Sequence, residues 1–394
     1  MPFAVFLLGL AVFAQGTSEF MLAGLVPEIA ADLGVSVSAA GSLTSAFAVG
    51  MIVGAPAMAL LSLRWSRRGA LWTFLAVFLL THVLGALTTS YPLLLATRVV
   101  GALANAGFLA VALVAATAMV APDAKARATA MLLGGVTSAC VVGVPCGALL
   151  GQLWGWRAAF WAVALVSVPA LLAIPRAVPA GAPEPAAVAG AGARDELRAL
   201  RRPRLLLVLA LGALVNGATF CAFTYLAPLA TEIGGLVDAW VPGVLALFGL
   251  GSFVGVTIAG RLADTASGPL LWVGGPALLL GWGTLALTAG EPAAMLVLVF
   301  VQGALSFAVG STLISMVLYA AADAPRLAGG FATAAFNVGA AFGPWAGGLA
   351  LDAGLGYRAP AWLSALLVAG ALATGVVAGG ARRRRAGRPT LLER

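Results

Sequence analysis

Apolar residues run through this chain in long blocks, with polar residues gathered into short punctuation between them. A helix that crosses a bilayer needs about 20 consecutive apolar residues. Blocks of that length fall at approximately 3–26, 37–62, 69–89, 92–120, 127–152, 157–175, 204–228, 240–262, 269–289, 292–320, 328–351 and 358–380. The pattern predicts twelve transmembrane helices and an all-α membrane protein. Only Met1 and Pro2 precede the first block, and no small-residue cleavage site follows it, so it reads as a retained span. Between the sixth and seventh blocks, 176–202 is rich in Pro, Ala and Gly (Pro179, Pro183, Pro185) and then charged over 194–198. That composition predicts a flexible linker ending in a short amphipathic piece.

The blocks also repeat. Gly155-Trp-Arg-Ala-Ala-Phe-Trp161 returns as Gly356-Tyr-Arg-Ala-Pro-Ala-Trp362, and Gly50 with Gly54 returns as Gly251 with Gly255, in both cases 201 residues later. The stretch Gln15-Gly-Thr-Ser-Glu-Phe20 aligns with Asn216-Gly-Ala-Thr-Phe-Cys221 at the same spacing. Two six-helix, pseudo-symmetric bundles are therefore expected, related by an axis along the membrane normal. Their boundaries are placed at 1–175 and 204–381, with a cytoplasmic linker at 176–203 and a basic tail at 382–394.

Composition narrows the class. Hydrophobic residues make up 62% of the chain and charged residues 9%, against roughly 25% charged in soluble domains. The formal net charge of +8 does not point to nucleic acid, because the arginines sit in short loops between apolar blocks. With both termini placed inside, nineteen of the 22 basic residues fall in cytoplasmic loops and the tail; Arg157 and Arg358 fall outside and Arg98 within a span. The positive-inside rule then puts both ends in the cytoplasm of a multi-pass protein of the bacterial plasma membrane. The run Arg382–Arg385 reads as a stop signal that also meets anionic lipid. Cys140, Cys146 and Cys221 lie in apolar blocks with no CxxC spacing and no neighbouring His, so no metal is expected. No Walker-type stretch is present, and nothing implies ATP or another cofactor.

Chemistry is concentrated in a few buried polar groups. Glu19 lies in the first span, where a carboxyl costs roughly 2.5–3.5 kcal/mol on insertion scales. Two readings compete: a protonated acid satisfied by a neighbouring helix, or a proton-handling group in a water-filled cavity. Arg98 lies in the fourth span, about 9 Å below the outer surface, and Glu19 about 10 Å below it at 1.5 Å per residue. An opposite charge at the same level is what either group needs, although a static ion pair pinning two helices fits the sequence as well. At the mirrored positions the second half has Phe220 and Phe300, so buried charge belongs to the first half alone. His82, the one histidine, is either a relay or a hydrogen-bonded fixture. Gln15, Asn105, Thr137, Asn216, Tyr225, Gln302 and Asn337 recur at depths where a cavity would lie, with helix–helix hydrogen bonding as the alternative. Phe20, Phe220, Phe223 and Phe307 are placed to stack on an aromatic solute, or to serve as ordinary core. Gly143, Pro145, Gly147 and Gly151 in the fifth span interrupt the backbone ladder and admit a neighbouring helix closely, and Gly343-Pro344 with Gly347 and Gly348 repeats this in the eleventh. Arg261 and Asp264 close the eighth span as a candidate gate.

These motifs resemble the major facilitator superfamily (MFS), specifically its twelve-span drug:proton antiporter branch. Gly143 to Gly147 with Gly151 is similar to the branch's fifth-span motif, with Val144 where Gly is usual. Arg98 with Gly101 resembles its fourth-span motif, and Leu25-Val-Pro-Glu-Ile-Ala-Ala-Asp-Leu33 its end-of-first-span motif, whose membrane glutamate would be Glu19. The loop motif ending in Asp264 has no aspartate in its first-half counterpart, 61–68. The runs TSEFMLAGLVPEIA, GALANAGFLAVAL, LVNGATFC and QGALSFAVGSTLIS resemble chloramphenicol resistance exporters. The resemblance implies a monomeric exporter, not an enzyme, with protons and a small neutral hydrophobic drug as its partners in the lipid bilayer. Sugar or nucleoside efflux on the same scaffold stays open, and one histidine among twelve spans argues against intramembrane catalysis.

Overall fold

The computed structural model describes residues 2–62, 65–179, 198–262, 267–322 and 328–386. The helices of the first half are α1 (Phe3–Phe20), α2 (Val26–Leu33), α3 (Val37–Ser62), α4 (Arg67–Leu87), α5 (Tyr91–Ala118), α6 (Lys125–Ser138), α7 (Val144–Trp154) and α8 (Arg157–Ala177). Those of the second half are α9 (Pro203–Thr224), α10 (Val241–Leu262), α11 (Ser267–Thr288), α12 (Pro292–Ala320), α13 (Ala328–Asp352) and α14 (Ala359–Ala386). Backbone polar groups have no water to bond in hydrocarbon, so helices that satisfy them internally are the stable solution. Among the described residues, eleven stretches are both long and apolar enough to cross a membrane. The remaining expected span is α13, which has 25 residues. Its glycines, Asn337 and Pro344 make it less apolar, and it is wedged between α3 and α9.

The repeat is visible in backbone devices. Gly34 and Gly235, 201 residues apart, both take φ of 63°, and Gly155 and Gly356 take 79° and 74°. Left-handed backbone of this kind favours glycine, so these four positions set the same turns in each half. The first span breaks after Phe20 into a 3-10 turn, Met21–Gly24, before α2, which has a proline near its start. Its counterpart breaks at Tyr225, followed by Leu226–Pro228 and a π-helical turn, Leu229–Ile233. Helix pairing repeats as well: α1 packs on α6 and α8 as α9 packs on α13 and α14, and α3 on α5 as α10 on α12.

One apolar core, from Ala4 to Val178, lies wholly in the first half. A second core belongs mainly to the second half but takes in Phe20, Ala23, Ala48, Cys140, Val144 and Ala148 from the first. The halves therefore meet through buried packing. Contacts across the seam run between α3 and α13, and between α10 and the stretch from 139 through α7.

Candidate functional site

Ser18, in the last turn of α1, is the hub of the buried polar groups. Arg98 Nη1 donates to Ser18 Oγ at 2.7 Å, and Nη2 donates to the Ser18 carbonyl at 2.8 Å. His82 Nε2 lies 2.7 Å from the same hydroxyl, and its Nδ1 lies 2.7 Å from the Phe78 carbonyl. A carbonyl can only accept, so Nδ1 carries the ring proton. In the neutral ring Nε2 is then an acceptor, and the Ser18 hydroxyl donates to it. The Phe47 ring covers the guanidinium, with Cζ 4.4 Å from its centroid. Ser18, His82 and Arg98 are all buried, yet Arg98 Nε has no partner.

Glu19 follows Ser18, and consecutive helical residues point roughly 100° apart. Its side chain is half-buried, whereas Ser18 and Phe20 on either side are buried. Arg98 and Cys140 lie within electrostatic reach of it. Glu19 and Arg98 do not form a direct ion pair in this conformation: among the described residues the ion pair is Arg157–Asp32 at 2.6 Å. Nη1 and Nη2 of the guanidinium are engaged by Ser18, and Nε is left without a partner among the described residues. One turn below Glu19, on the same face of α1, Gln15 is buried with neither amide atom partnered.

The other polar candidates divide. Asn216 is half-buried and gives its amide to the Phe336 carbonyl at 2.7 Å. Asn105 reaches Met51 Sδ at 3.5 Å, and Asn337 bonds back to Thr333 on its own helix. Gln302 is fully buried against α11, donating to the Leu278 carbonyl, and Tyr225 donates to the Pro344 carbonyl at 2.8 Å. Thr137 is half-buried. Of the three cysteines, all free, Cys140 and Cys221 are buried and Cys146 is exposed.

The aromatic candidates come together. Phe20 stacks on Phe220 with centroids 5.6 Å apart and meets Phe223 edge-on. Phe223 packs on Phe248 at 4.6 Å, and Phe248 meets Phe307 at 6.3 Å. Phe248 joins the ring chain without having stood out in the sequence, because a phenylalanine in an apolar span carries no mark of which helix it faces. Ser18 carries no sequence mark either, since a small hydroxyl is common in membrane helices.

Pro145 lacks an N–H, and just before it the backbone loosens into a π-helical turn, Ala139–Gly143, closed by Val144 N to the Ala139 carbonyl. This turn faces both neighbours. On one side a Cβ on Gly143 would collide with the Thr17 side chain, and those on Gly147 and Gly151 would meet Met21 and Leu25. On the other side a Cβ on Gly249 of α10 would run into the Cys140 backbone. The seam between halves is tight towards the end of the molecule away from the chain termini. There Tyr225 wedges between Gly41 and Gly348, and Gln152 donates to the Asp238 carbonyl. Arg261 is exposed at the end of α10, and Asp264 lies outside the described residues.

Two pseudo-symmetric helical bundles, a seam tight at one end and a half-buried carboxyl between helices are the architecture of a membrane transporter. The sequence model of the Major Facilitator Superfamily matches residues 8–329, and the chain belongs to that family. It is 58% identical over 94% of its length, and 95% of the relative's, to a "Chloramphenicol resistance protein" of Streptomyces lividans. It is 36% identical to the inner membrane transport protein YdhP of Escherichia coli K12, with 89% of each chain covered. A probable sugar efflux transporter of Pasteurella multocida is 28% identical over 84% of this chain and 81% of that one. Among solved structures, a bacterial homologue of the human lysosomal transporter Spinster, in an inward-facing and occupied conformation, superposes with a TM-score of 0.74. That match has 17% identity and covers 95% of this chain and 96% of the other, so it speaks for the fold.

Proposed function

We propose that this protein exports a small neutral drug, chloramphenicol, from a bacterial cell in exchange for protons. The identity to the Streptomyces lividans protein supports the substrate. The observation that carries the coupling is Glu19: a half-buried carboxyl within electrostatic reach of a clamped arginine whose Nε–H is unpartnered. In this reading both termini face the cytoplasm and the closed end of the seam faces outward. Drug enters between the bundles 1–175 and 204–381 from the cytoplasm or the inner leaflet while Glu19 is deprotonated. The spare Arg98 Nε–H then stabilises the carboxylate. The bundles rock, with the linker 176–203 accommodating the motion. Glu19 takes a proton from outside, drug leaves, and the return stroke releases the proton inside. Gln15, Asn105 and Asn216 supply polar contacts, with the rings of Phe20, Phe220, Phe223 and Phe307 above them. Exchange of one proton for a neutral solute moves net charge, worth about 2.3 kcal/mol per 100 mV. No bond of the drug is made or broken.

The test is growth of a sensitive host on chloramphenicol with and without this chain, paired with drug uptake into everted vesicles carrying an imposed proton gradient. Resistance together with gradient-dependent uptake is the expected result. Uptake of a labelled sugar or nucleoside with none of the drug would overturn the substrate while keeping the carrier.

A further inference from the structure

Away from the seam, the second half contains an apolar crevice of about 340 Å³. It is lined by Leu207 and Leu211 of α9, Trp272 of α11, Leu313 of α12, and Leu372 and Val376 of α14, among others. Its α9 wall runs from Leu207 to Val215, roughly 6 to 18 Å from the start of that helix at 1.5 Å per residue. That span is about the depth of one leaflet of a hydrocarbon core ~30 Å thick. The crevice opens sideways: Trp272 is 70% exposed and Val376 58% exposed on its rim. Both belong to spans that face the bilayer, so what lies against the mouth is lipid and not water. An apolar void of this size left empty forfeits its packing contacts, and water has no polar partners there.

The mouth is basic and aromatic. Arg204 is exposed and stands three residues before Leu207, hence on the same face of α9 as the wall, with exposed Arg201 just before the helix. Tyr319, one turn beyond the lining residue Met316, is exposed at the same end, and Trp272 lies near the start of α11. Trp and Tyr favour the level of lipid headgroups, and Arg attracts anionic ones. We propose that this crevice is a phospholipid site. One acyl chain fills the space between α9, α11, α12 and α14, and an anionic headgroup rests on Arg204 and Arg201. Its assignment to the cytoplasmic leaflet rests on the orientation proposed above; the site itself does not.

Gly375 lines the crevice and a Cβ there meets nothing, so a larger side chain can be added at the void. Gly370 also faces open space but lies off the crevice, and serves as the control. The purified protein is exchanged into mixed phosphatidylglycerol and phosphatidylcholine nanodiscs, and retained lipid is counted by native mass spectrometry. One retained phospholipid with phosphatidylglycerol preferred is expected, reduced by an order of magnitude or more in Gly375→Leu and unchanged in Gly370→Leu. Arg204→Gln should keep the lipid and lose the preference for phosphatidylglycerol. Equal retention in wild type and Gly375→Leu overturns the site, and displacement of the lipid by added chloramphenicol reassigns the crevice to the drug. Retention is read without transport, so a failed export assay leaves this result standing.

Discussion

Ser18 and Thr219 occupy the same place in the repeat, 201 residues apart, yet they do different things. Ser18 holds Arg98 and His82 from neighbouring helices, whereas Thr219 bonds back to the Val215 carbonyl of its own helix. The next position is Glu19 in one half and Phe220 in the other, and His82 is mirrored by Gly283. At the closed end, Arg157 bridges Asp32 and the Thr88 carbonyl, while its counterpart Arg358 reaches the Leu287 carbonyl. The turns of the two halves are shared and their buried chemistry is not. A duplicated scaffold tolerates this because backbone geometry is set by glycine, proline and small-residue packing, which say nothing about which half carries charge. The first half holds the polar network and the second supplies rings and aliphatic surface.

The largest effect is expected from moving the carboxyl across the repeat. Glu19→Gln should abolish gradient-driven drug uptake while leaving the protein folded. Adding Phe220→Glu should not restore it, because position 220 has no Arg98 equivalent and buries an unpaired acid at roughly 2.5–3.5 kcal/mol. Restored uptake in the double variant would make the halves interchangeable.

Next is Gly249→Ala. Its added Cβ strikes the Cys140 backbone across the seam, and backbone cannot swing aside as a side chain can. We expect the population to shift towards the state in which the closed end parts, read as a longer distance between spin labels at that end. Gly134→Ala, where a Cβ meets nothing, should leave the distance alone.

Ser18→Ala leaves Arg98 and His82 each short of a buried partner, a loss of about 1–3 kcal/mol. Thr219→Ala removes a bond within one helix and should cost less, about 0.5–1.5 kcal/mol. Thermal unfolding in detergent compares them, and equal losses would deny Ser18 its role as hub.

The smallest effect concerns Asp32. Its carboxyl lies below the usual range, first because Arg157 hydrogen-bonds it and also because Trp156 does. A lowered carboxyl stabilises the folded form above its unfolded value of 3.8 and loses that stabilisation as pH falls through the lower folded value. Asp32→Asn should therefore lower the unfolding temperature slightly at pH 6, by an amount worth under ~1 kcal/mol for so exposed a pair. The gap to wild type should narrow below pH 4.

Hydrophobic blocks and the 201-residue offset made the helical architecture legible in the sequence, because each depends on periodicity or composition. The eleventh span was legible too, although its glycines and Asn337 dilute its apolar character. Glu19 and Arg98 stood out because ionisable groups in spans are rare. Their relation did not, since equal depth fixes height and leaves rotation about each helix free; Arg98 turned out to face Ser18. The same missing angle hid Phe248, and it hid that Tyr225 and Gln302 serve backbone carbonyls. The proline of the fifth span was visible, but the π-helical turn before it was not, because a missing N–H does not dictate how the backbone ladder rearranges around it.

The Phe20 ring belongs to the apolar core of the opposite half. Parting the halves on that side would strip stacked rings of their neighbours, a penalty an empty carrier must meet alone. A cargo with a ring of its own can stand in for the departing phenylalanine, so loading would ease the stroke and idling would be discouraged. The same aromatic latch would thereby limit slippage of protons in the absence of drug.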